Sequence, residues 1–298
     1  MLTVMNPNPT SSDPSTRRAF VKASAVAAVA PMASAVAADQ GLTKTPMREI
    51  ETDVLVCGGG CAGTAAALSA ARNGAKTLLV EKAPFAGGII TSVGLLFDGI
   101  ADIKTHRVVV RGIALELLAK TGVCKADAKE IKPHNPTIPN TFEFKVLLDR
   151  ELQACGDKLT VLFNSFVCDA ESANGRVTSV VIANKDGLTR VEAKQIIDCT
   201  GDGDIAHWAG CPTISSKPLM PLTLHFRIGN VVPVKETKEM AKKVLIEAHK
   251  EGRLVNFYGP GLIFAFAKDE CYVHATRVPA DATNAADFTR VIDSDDMG

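Results

Sequence analysis

Two short apolar runs, separated by a stretch with helical character, stand out in the hydrophobic pattern of the first third of the chain. Residues 54–56 and 77–80 are almost wholly apolar, which is typical of strands buried on both faces of a parallel sheet. Residues 65–72 between them are rich in alanine and predict a helix. The order strand, helix, strand predicts a βαβ unit and therefore an α/β fold.

A glycine pattern lies between the first predicted strand and the helix. Gly58, Gly60 and Gly63 have the G-x-G-x-x-G spacing, and Glu81 follows the last glycine by eighteen residues. In a dinucleotide-binding turn the first glycine permits the bend, the second admits the pyrophosphate, and the third lets helix and strand pack closely. The pyrophosphate meets the helix N-terminus, and the acid accepts hydrogen bonds from ribose hydroxyls. The sequence predicts such a site, against the alternative of a purely structural turn.

The pattern beyond this unit predicts two helices and then a series of short strands. Residues 109–118 and 142–152 carry apolar side chains at helical spacing. The strands are predicted at 159–168, 176–183, 188–193 and 195–199, with a turn at Asp186-Gly187. Together they predict a β-meander that completes a Rossmann-like domain.

A different pattern begins after residue 214. A strand at 222–228, a charged amphipathic helix at 235–250 and a strand at 270–277 predict the start of an α+β domain. The predicted organisation is a leader at 1–38, a linker at 39–50, a dinucleotide-binding domain at 51–214 and a partial substrate domain at 215–298.

Polar and apolar residues alternate along the strand predicted at 222–228. Thr223, His225 and Arg227 share one face of it, and the apolar residues take the other. One interpretation is a solvated sheet face, and the other is a face that covers a ligand. Under the second, the imidazole moves protons near neutral pH and the guanidinium binds a carboxylate through two parallel hydrogen bonds.

The N-terminus has three features of an export signal. Residues 15–22 match the twin-arginine pattern with Arg17, Arg18, Phe20 and Lys22, an Ala/Val stretch follows at 23–30, and small residues at 35–37 offer a cleavage site. The alternative is a chance Arg-Arg pair in a tail. We expect the twin-arginine machinery to export the folded protein to the periplasm with its cofactor already bound.

Composition narrows the class of partner. The chain of 298 residues has balanced charge, 46% hydrophobic and 22% charged residues and no basic block, so nucleic-acid binding is not expected. The eight cysteines include no C-x-x-C pair, so no metal site is predicted.

Several segments together resemble the FAD-dependent oxidoreductases of the glutathione-reductase-like two-dinucleotide-binding fold. The resemblance rests on the glycine turn and on residues 81–88, 111–117, 142–149, 197–204 and 272–278. It covers about residues 50–295. The Thr-Gly-Asp-Gly turn at 200–203 favours FAD over NAD, and an NAD(P)-binding enzyme without flavin remains the alternative.

The resemblance implies a cofactor site and a reaction. The residues it would bring to FAD are Gly58, Gly60, Cys61, Ala62, Gly63, Glu81, Lys82, Gly87, Gly88, Thr91, Val167, Thr200, Gly201 and Asp202. A catalytic group is expected at His225, Arg227, His274 and Arg277, which would orient a small substrate, possibly a carboxylate, for hydride transfer to or from the flavin. The electron acceptor or donor is left open.

Two departures from the family accompany this resemblance. The chain is distantly similar to the fumarate reductase and succinate dehydrogenase flavoproteins but has no His-containing segment for covalent flavin attachment. It also ends at Gly298, earlier than the family pattern implies, so a C-terminal truncation is expected, and a catalytically silent FAD-binding fragment is the alternative function.

Overall fold

A computed structural model describes residues 47–93, 99–132, 140–214, 223, 225–231, 234–255, 257–267 and 270–276. The strands are β1 Arg48–Cys57, β2 Thr77–Val80, β3 Leu159–Leu162, β4 Phe166–Ala173, β5 Arg176–Asn184, β6 Gly187–Asp198, β7 Phe226–Ile228, β8 Phe257–Ala267 and β9 Glu270–Thr276. The helices are α1 Cys61–Arg72, α2 Ile89–Ser92, α3 Ile113–Lys120, α4 Thr141–Gln153, α5 Asp204–Trp208 and α6 Val234–Lys250, with a 3₁₀ turn at Gly156–Lys158.

The larger sheet has six strands in the order β3-β2-β1-β6-β5-β4. Strands β3, β2, β1 and β6 run parallel to one another, whereas β4, β5 and β6 form an antiparallel meander. After β1 the chain forms β2 and then β3 on one side of β1. It later returns as β6, which pairs with β1 on its other side. In open α/β sheets, ligands bind beyond the carboxyl ends of the strands at such a switch point. The mixed α/β architecture confirms the predicted Rossmann-like fold class.

Apolar side chains cover both faces of this sheet. Val56 and Leu79 face one cluster, which α1, α3 and α4 complete, while Leu55 and Leu78 face a second cluster with residues of β5 and α5. Burial of each such side chain contributes about 1.5–3 kcal/mol. The two-sided burial explains why residues 54–57 of β1 and 78–80 of β2 are continuously apolar instead of alternating.

Four charged residues link the three helices on one face of the sheet. Arg72 of α1 pairs with Glu116 of α3 at 2.8 Å and with Glu151 of α4 at 2.9 Å. Lys120 of α3 also pairs with both acids, at 3.0 and 2.6 Å. A network of this kind holds helix geometry better than isolated surface pairs do. It fixes α4, which lies behind the candidate site.

Three predicted boundaries were wrong. The single strand predicted at 159–168 is two strands, β3 and β4, at opposite edges of the sheet. The break lies at Asn164, which adopts a left-handed conformation (φ 51°). The strands predicted at 188–193 and 195–199 are one strand, β6. The helix predicted from residue 109 begins at Ile113, because Gly112 precedes it with φ 67°.

A smaller sheet follows, in the order β7-β9-β8, and α6 contacts β8. Strand β8 was not predicted from the sequence. Both neighbours of β9 are antiparallel to it, and Arg227 of β7 lies opposite Tyr272 of β9. Within the described ranges, no helix combines the length and apolar character needed to span a membrane.

Candidate functional site

The turn between β1 and α1 is shaped by three glycines with different steric demands. Gly58 has φ 102°, and a Cβ there would lie 2.3 Å from the carbonyl oxygen of Cys199. A Cβ on Gly63 would lie 1.7 Å from the carbonyl oxygen of Gly58. A Cβ on Gly60 would meet no atom within 4 Å. Gly58 and Gly63 are therefore required by the fold, whereas Gly60 leaves space open beside the turn.

Helix α1 presents its N-terminus at this open space. Gly60 is its N-cap, with no side-chain capping bond and no acidic residue in the first turn. The free amides and the positive end of the helix dipole favour an anion at this point. The turn itself is held from behind, since the Thr64 hydroxyl donates to the Gly59 carbonyl at 2.9 Å.

Glu81, at the end of β2, connects two backbone segments. Its carboxylate accepts hydrogen bonds from the Gly59 amide at 2.6 Å and from the Ala83 amide at 2.7 Å, and the residue is only 7% exposed. Each carboxylate oxygen can accept more than one hydrogen bond, so Glu81 can also accept hydrogen bonds from ribose hydroxyls. The acid thus stabilises the glycine turn in addition to its predicted cofactor role.

The Gly87-Gly88 loop lies directly against the glycine turn. The Gly87 amide donates to Gly59 O at 2.8 Å, and the Cys61 thiol donates to Gly87 O at 3.3 Å. Desolvation raises the pKa of the Cys61 thiol, so it keeps its hydrogen for this contact. A Cβ on Gly88 would lie 2.9 Å from Gly60 Cα. Glycine at 88 therefore permits the close approach of two backbones.

Thr91 holds this loop from the protein interior. It is buried, and its hydroxyl donates to the carbonyl of Ala86 at 2.7 Å and of Gly88 at 3.1 Å. The sequence interpretation placed Thr91 along the flavin. The side chain lies outside the lining of the cleft and bonds to these two carbonyls, and its place along the flavin stays a prediction.

A second turn follows β6 and is organised by Asp198, which the sequence analysis did not single out. Its carboxylate accepts from the Thr200 amide at 3.1 Å, the Thr200 hydroxyl at 2.7 Å and the Ala206 amide at 3.1 Å. The N-cap of α5 is Gly203, without a side-chain capping bond, and the Asp198 carboxylate accepts from the Ala206 amide in that helix.

These turns border one cleft of about 350 Å³ at the carboxyl ends of β1, β2 and β6. Its lining includes the predicted residues Gly58, Gly60, Cys61, Ala62, Glu81, Lys82, Gly88, Val167, Thr200 and Gly201. Predicted residues outside that lining are Gly63, Gly87, Thr91 and Asp202. Ser165 and Phe166 line it without having been predicted. Phe166 has an exposed aromatic ring, which could have indicated a ligand site. It was overlooked because a single strand was predicted over residues 159–168.

Comparison with known proteins identifies the family. A family model described as "FAD dependent oxidoreductase" matches residues 53–294. The chain belongs to this FAD-dependent oxidoreductase family. The predicted class of enzyme and its cofactor, FAD, are thereby confirmed, and the alternative of a flavin-free NAD(P) enzyme is not supported.

Two curated relatives are digeranylgeranylglycerophospholipid reductases. Those of Thermoplasma acidophilum and Thermoplasma volcanium are 30% and 29% identical to this oxidoreductase over 171 residues, which is 54% of this chain and 42% of theirs. The chain thus matches less than half of the length of these relatives. A solved structure of a geranylgeranyl bacteriochlorophyll reductase-like protein from Thermoplasma acidophilum has a TM-score of 0.48 at 18% identity, over 82% of this chain and 61% of that one.

The residues of the cleft fit the FAD that the family uses. Open space at Gly60 and the free amides of α1 suit a pyrophosphate, and Glu81 suits a ribose. Gly201 has φ 98° with no atom within 4 Å of its would-be Cβ, so its backbone can also approach a ligand. Among the described residues, no group of three or more His, Cys, Asp or Glu side chains could hold a metal ion.

Three of the four predicted substrate residues, His225, Arg227 and His274, lie at the smaller sheet. Arg227 donates to the Thr141 hydroxyl at 3.4 Å, at the first residue of α4. His225 Nδ1 is in hydrogen-bond contact with the Tyr272 hydroxyl. The sequence analysis did not predict Tyr272 as a site residue. The backbone of His274 lies opposite Leu262 of β8. Arg277 lies outside the described residues.

Helix α4 connects this sheet to the cofactor loop. Thr141 begins the helix, and Leu148, about 10 Å further along at 1.5 Å per residue, contacts the loop at Gly87. A Cβ on Gly87 would lie 2.8 Å from Leu148 Cδ1. The described contacts thus place Arg227 at one end of the helix that supports the Gly87-Gly88 loop.

Proposed function

We propose that this enzyme is an exported flavoprotein that oxidises or reduces a small anionic organic substrate, such as a carboxylate, bound at the smaller sheet. The position of Arg227 is the observation that supports this substrate class. It lies opposite Tyr272 on paired strands and reaches the helix behind the cofactor loop. A guanidinium in this position suits an anionic group, because its planar fork forms two parallel hydrogen bonds with a carboxylate.

The proposed reaction divides tasks between the two sheets. Bound FAD supplies hydride transfer. The turns at Gly60 and Thr200 hold the cofactor, and Asp198 and Glu81 keep these turns in place through backbone hydrogen bonds. Arg227 orients the substrate anion, and the imidazole of His225 or of His274 moves a proton. Arg277 and His274 are proposed to join this group.

The proposal is tested by the kinetics of flavin reduction and reoxidation against a panel of small carboxylic acids and their methyl esters. We expect activity with acids to exceed that with esters. Arg227→Ala should raise KM at least about tenfold, equivalent to about 1.4 kcal/mol, and Arg227→Lys should restore it only in part. Arg253→Ala is the matched control, because Arg253 is an exposed arginine paired with Glu251.

Four outcomes would contradict this substrate class. One is equal rates with acids and esters. Another is unchanged kinetics in Arg227→Ala with FAD still bound, which would mean that the substrate binds elsewhere. Turnover of a geranylgeranyl lipid would support a second candidate, polyprenyl reduction, which the names of the curated relatives favour. Bound FAD without turnover of any substrate would favour the silent fragment.

Export is a separate part of the proposal and rests on residues 15–22. Replacing Arg17 and Arg18 together by lysine keeps the charge but removes the pair that the twin-arginine pathway recognises. We expect the double variant to remain in the cytoplasm, whereas Lys44→Arg, outside the motif, should be exported normally. Efficient periplasmic delivery of the double variant, measured by fractionation, would contradict the proposed route.

A further inference from the structure

Tyr272 is the interior partner of the predicted substrate histidine. It lies in the middle of the three-stranded sheet on β9, and it is 0% exposed. Its hydroxyl is in hydrogen-bond contact with His225 Nδ1, and the two rings are tilted at 33° with their centroids 5.7 Å apart. Arg227, two residues along the chain from His225, lies opposite Tyr272 in the strand register.

The chemistry of the two groups favours one direction for this hydrogen bond, because a phenol hydroxyl is the stronger donor of the pair and a neutral imidazole nitrogen is the stronger acceptor. Burial raises the pKa of the phenol well above its ordinary value, and the nearby Arg227 guanidinium only partly opposes this shift. The hydroxyl therefore keeps its hydrogen at neutral pH and can donate it. A neutral imidazole that accepts a hydrogen bond at Nδ1 carries its own hydrogen at Nε2.

We propose that Tyr272 is a positioning residue that holds His225 in the Nε2–H tautomer, so that the neutral imidazole donates a hydrogen bond to the substrate from Nε2. This inference rests on the proposed function of the same face. The Nε2–H bond stays intact in this role, because loss of that hydrogen from a neutral imidazole would leave an imidazolate anion. The hydrogen bond stabilises the negative charge that develops on the substrate atom when the substrate is reduced.

The first test is nitrogen NMR of the full, FAD-bound chain with ¹⁵N-labelled histidine. His225→Gln assigns the His225 signals, because the chain has six histidines. At a pH where the ring is neutral, we expect Nε2 to have the shift of a protonated nitrogen and Nδ1 that of an acceptor. The opposite pattern in the wild-type protein would overturn the proposal without any Tyr272 variant being needed.

The second test removes only the hydroxyl. Tyr272→Phe should abolish the single-tautomer pattern of His225 and lower kcat about tenfold, with KM and FAD affinity unchanged. Tyr258→Phe in β8, which changes the only other tyrosine of the chain, should alter neither the tautomer nor kcat. An unchanged His225 pattern in Tyr272→Phe would overturn the positioning role.

The kinetics of His225→Gln separate this inference from the proposed function. If Arg227→Ala raises KM while His225→Gln leaves kcat unchanged, the substrate site stands and the hydrogen-bond-donor role of His225 is wrong. If both variants leave the kinetics unchanged with FAD bound, the proposed substrate site is itself wrong. The expected result is loss in both, with KM affected at Arg227 and kcat at His225.

Discussion

The cofactor cleft and the polar face of the smaller sheet are built by different means. The cleft is built mainly from backbone contacts. Glycines 58, 63 and 88 are fixed by contacts between main-chain atoms, and the carboxylates of Glu81 and Asp198 accept hydrogen bonds from amides of the turns. At the smaller sheet, side chains make the contacts, through Arg227 to Thr141 and His225 to Tyr272. Backbone sites are specified by residue type and spacing, whereas side-chain sites depend on which strands meet.

The sharpest way to break this comparison is to add a methyl group where two backbones touch. Gly63→Ala places a Cβ 1.7 Å from Gly58 O, so the turn or α1 must shift. We expect a loss of about 3 kcal/mol or more in the free energy of unfolding of the FAD-free protein, well above the ~1 kcal/mol helix-propensity gain of alanine. Urea unfolding measures it. A wild-type midpoint for Gly63→Ala would contradict the steric account.

Gly60 should separate cofactor binding from folding. Because its Cβ would meet no atom within 4 Å, Gly60→Ala should change the free energy of unfolding of the FAD-free protein by less than about 0.5 kcal/mol. The same methyl group occupies the space for the pyrophosphate, and we expect FAD affinity to fall about a hundredfold, or roughly 2.7 kcal/mol. Gly229→Ala is the matched control, since Gly229 also has open space around it but lies outside the cleft. Wild-type FAD affinity in Gly60→Ala would place the pyrophosphate elsewhere.

Glu81 tests whether a cofactor residue also stabilises the empty site. Glu81→Ala loses the hydrogen bonds to the Gly59 and Ala83 amides, so we expect about 1–3 kcal/mol lower stability even without FAD. Glu81→Gln retains one accepting oxygen and should lose less. Lys82→Ala, at the next residue of the lining, should leave stability within about 0.5 kcal/mol. Equal stability of the wild type and Glu81→Ala would restrict the acid to ligand binding.

Thr91 gives the smallest expected effect and refines the boundary of the site. Thr91→Val removes the hydroxyl that donates to Ala86 and Gly88 while keeping the shape of the side chain. We expect about 1 kcal/mol lower stability and a several-fold weaker FAD affinity, and Thr91→Ser should retain most of both. A hundredfold loss of FAD affinity at unchanged stability would instead indicate direct contact with the cofactor.

The contrast between the two regions also explains what the sequence could predict. The glycine spacing, Glu81 and the Thr200 turn are local features, so the cleft could be located before the fold was known. Asp198 was not predicted as a site residue, because an aspartate beside a turn has no distinctive spacing in the sequence. Phe166 was hidden because the left-handed Asn164 was not recognised as the break between β3 and β4.

At the smaller sheet, alternation placed His225 and Arg227 on one face but could not supply their partners. Tyr272 is adjacent to them only because β7 and β9 pair in one particular register. Thr141 is adjacent only because α4 lies nearby, 86 residues earlier in the chain. Long-range pairings of this kind are set by tertiary packing, which residue patterns within one segment do not encode.

Hydrogen exchange with and without FAD tests the central claim most directly, because it reports on both regions in one experiment. When FAD is added to the flavin-free protein, we predict slower amide exchange at residues 59–64, 86–88 and 199–202, and little change in β8. Protection confined to the smaller sheet, or no FAD-dependent protection of the three turns in a folded protein, would contradict the account.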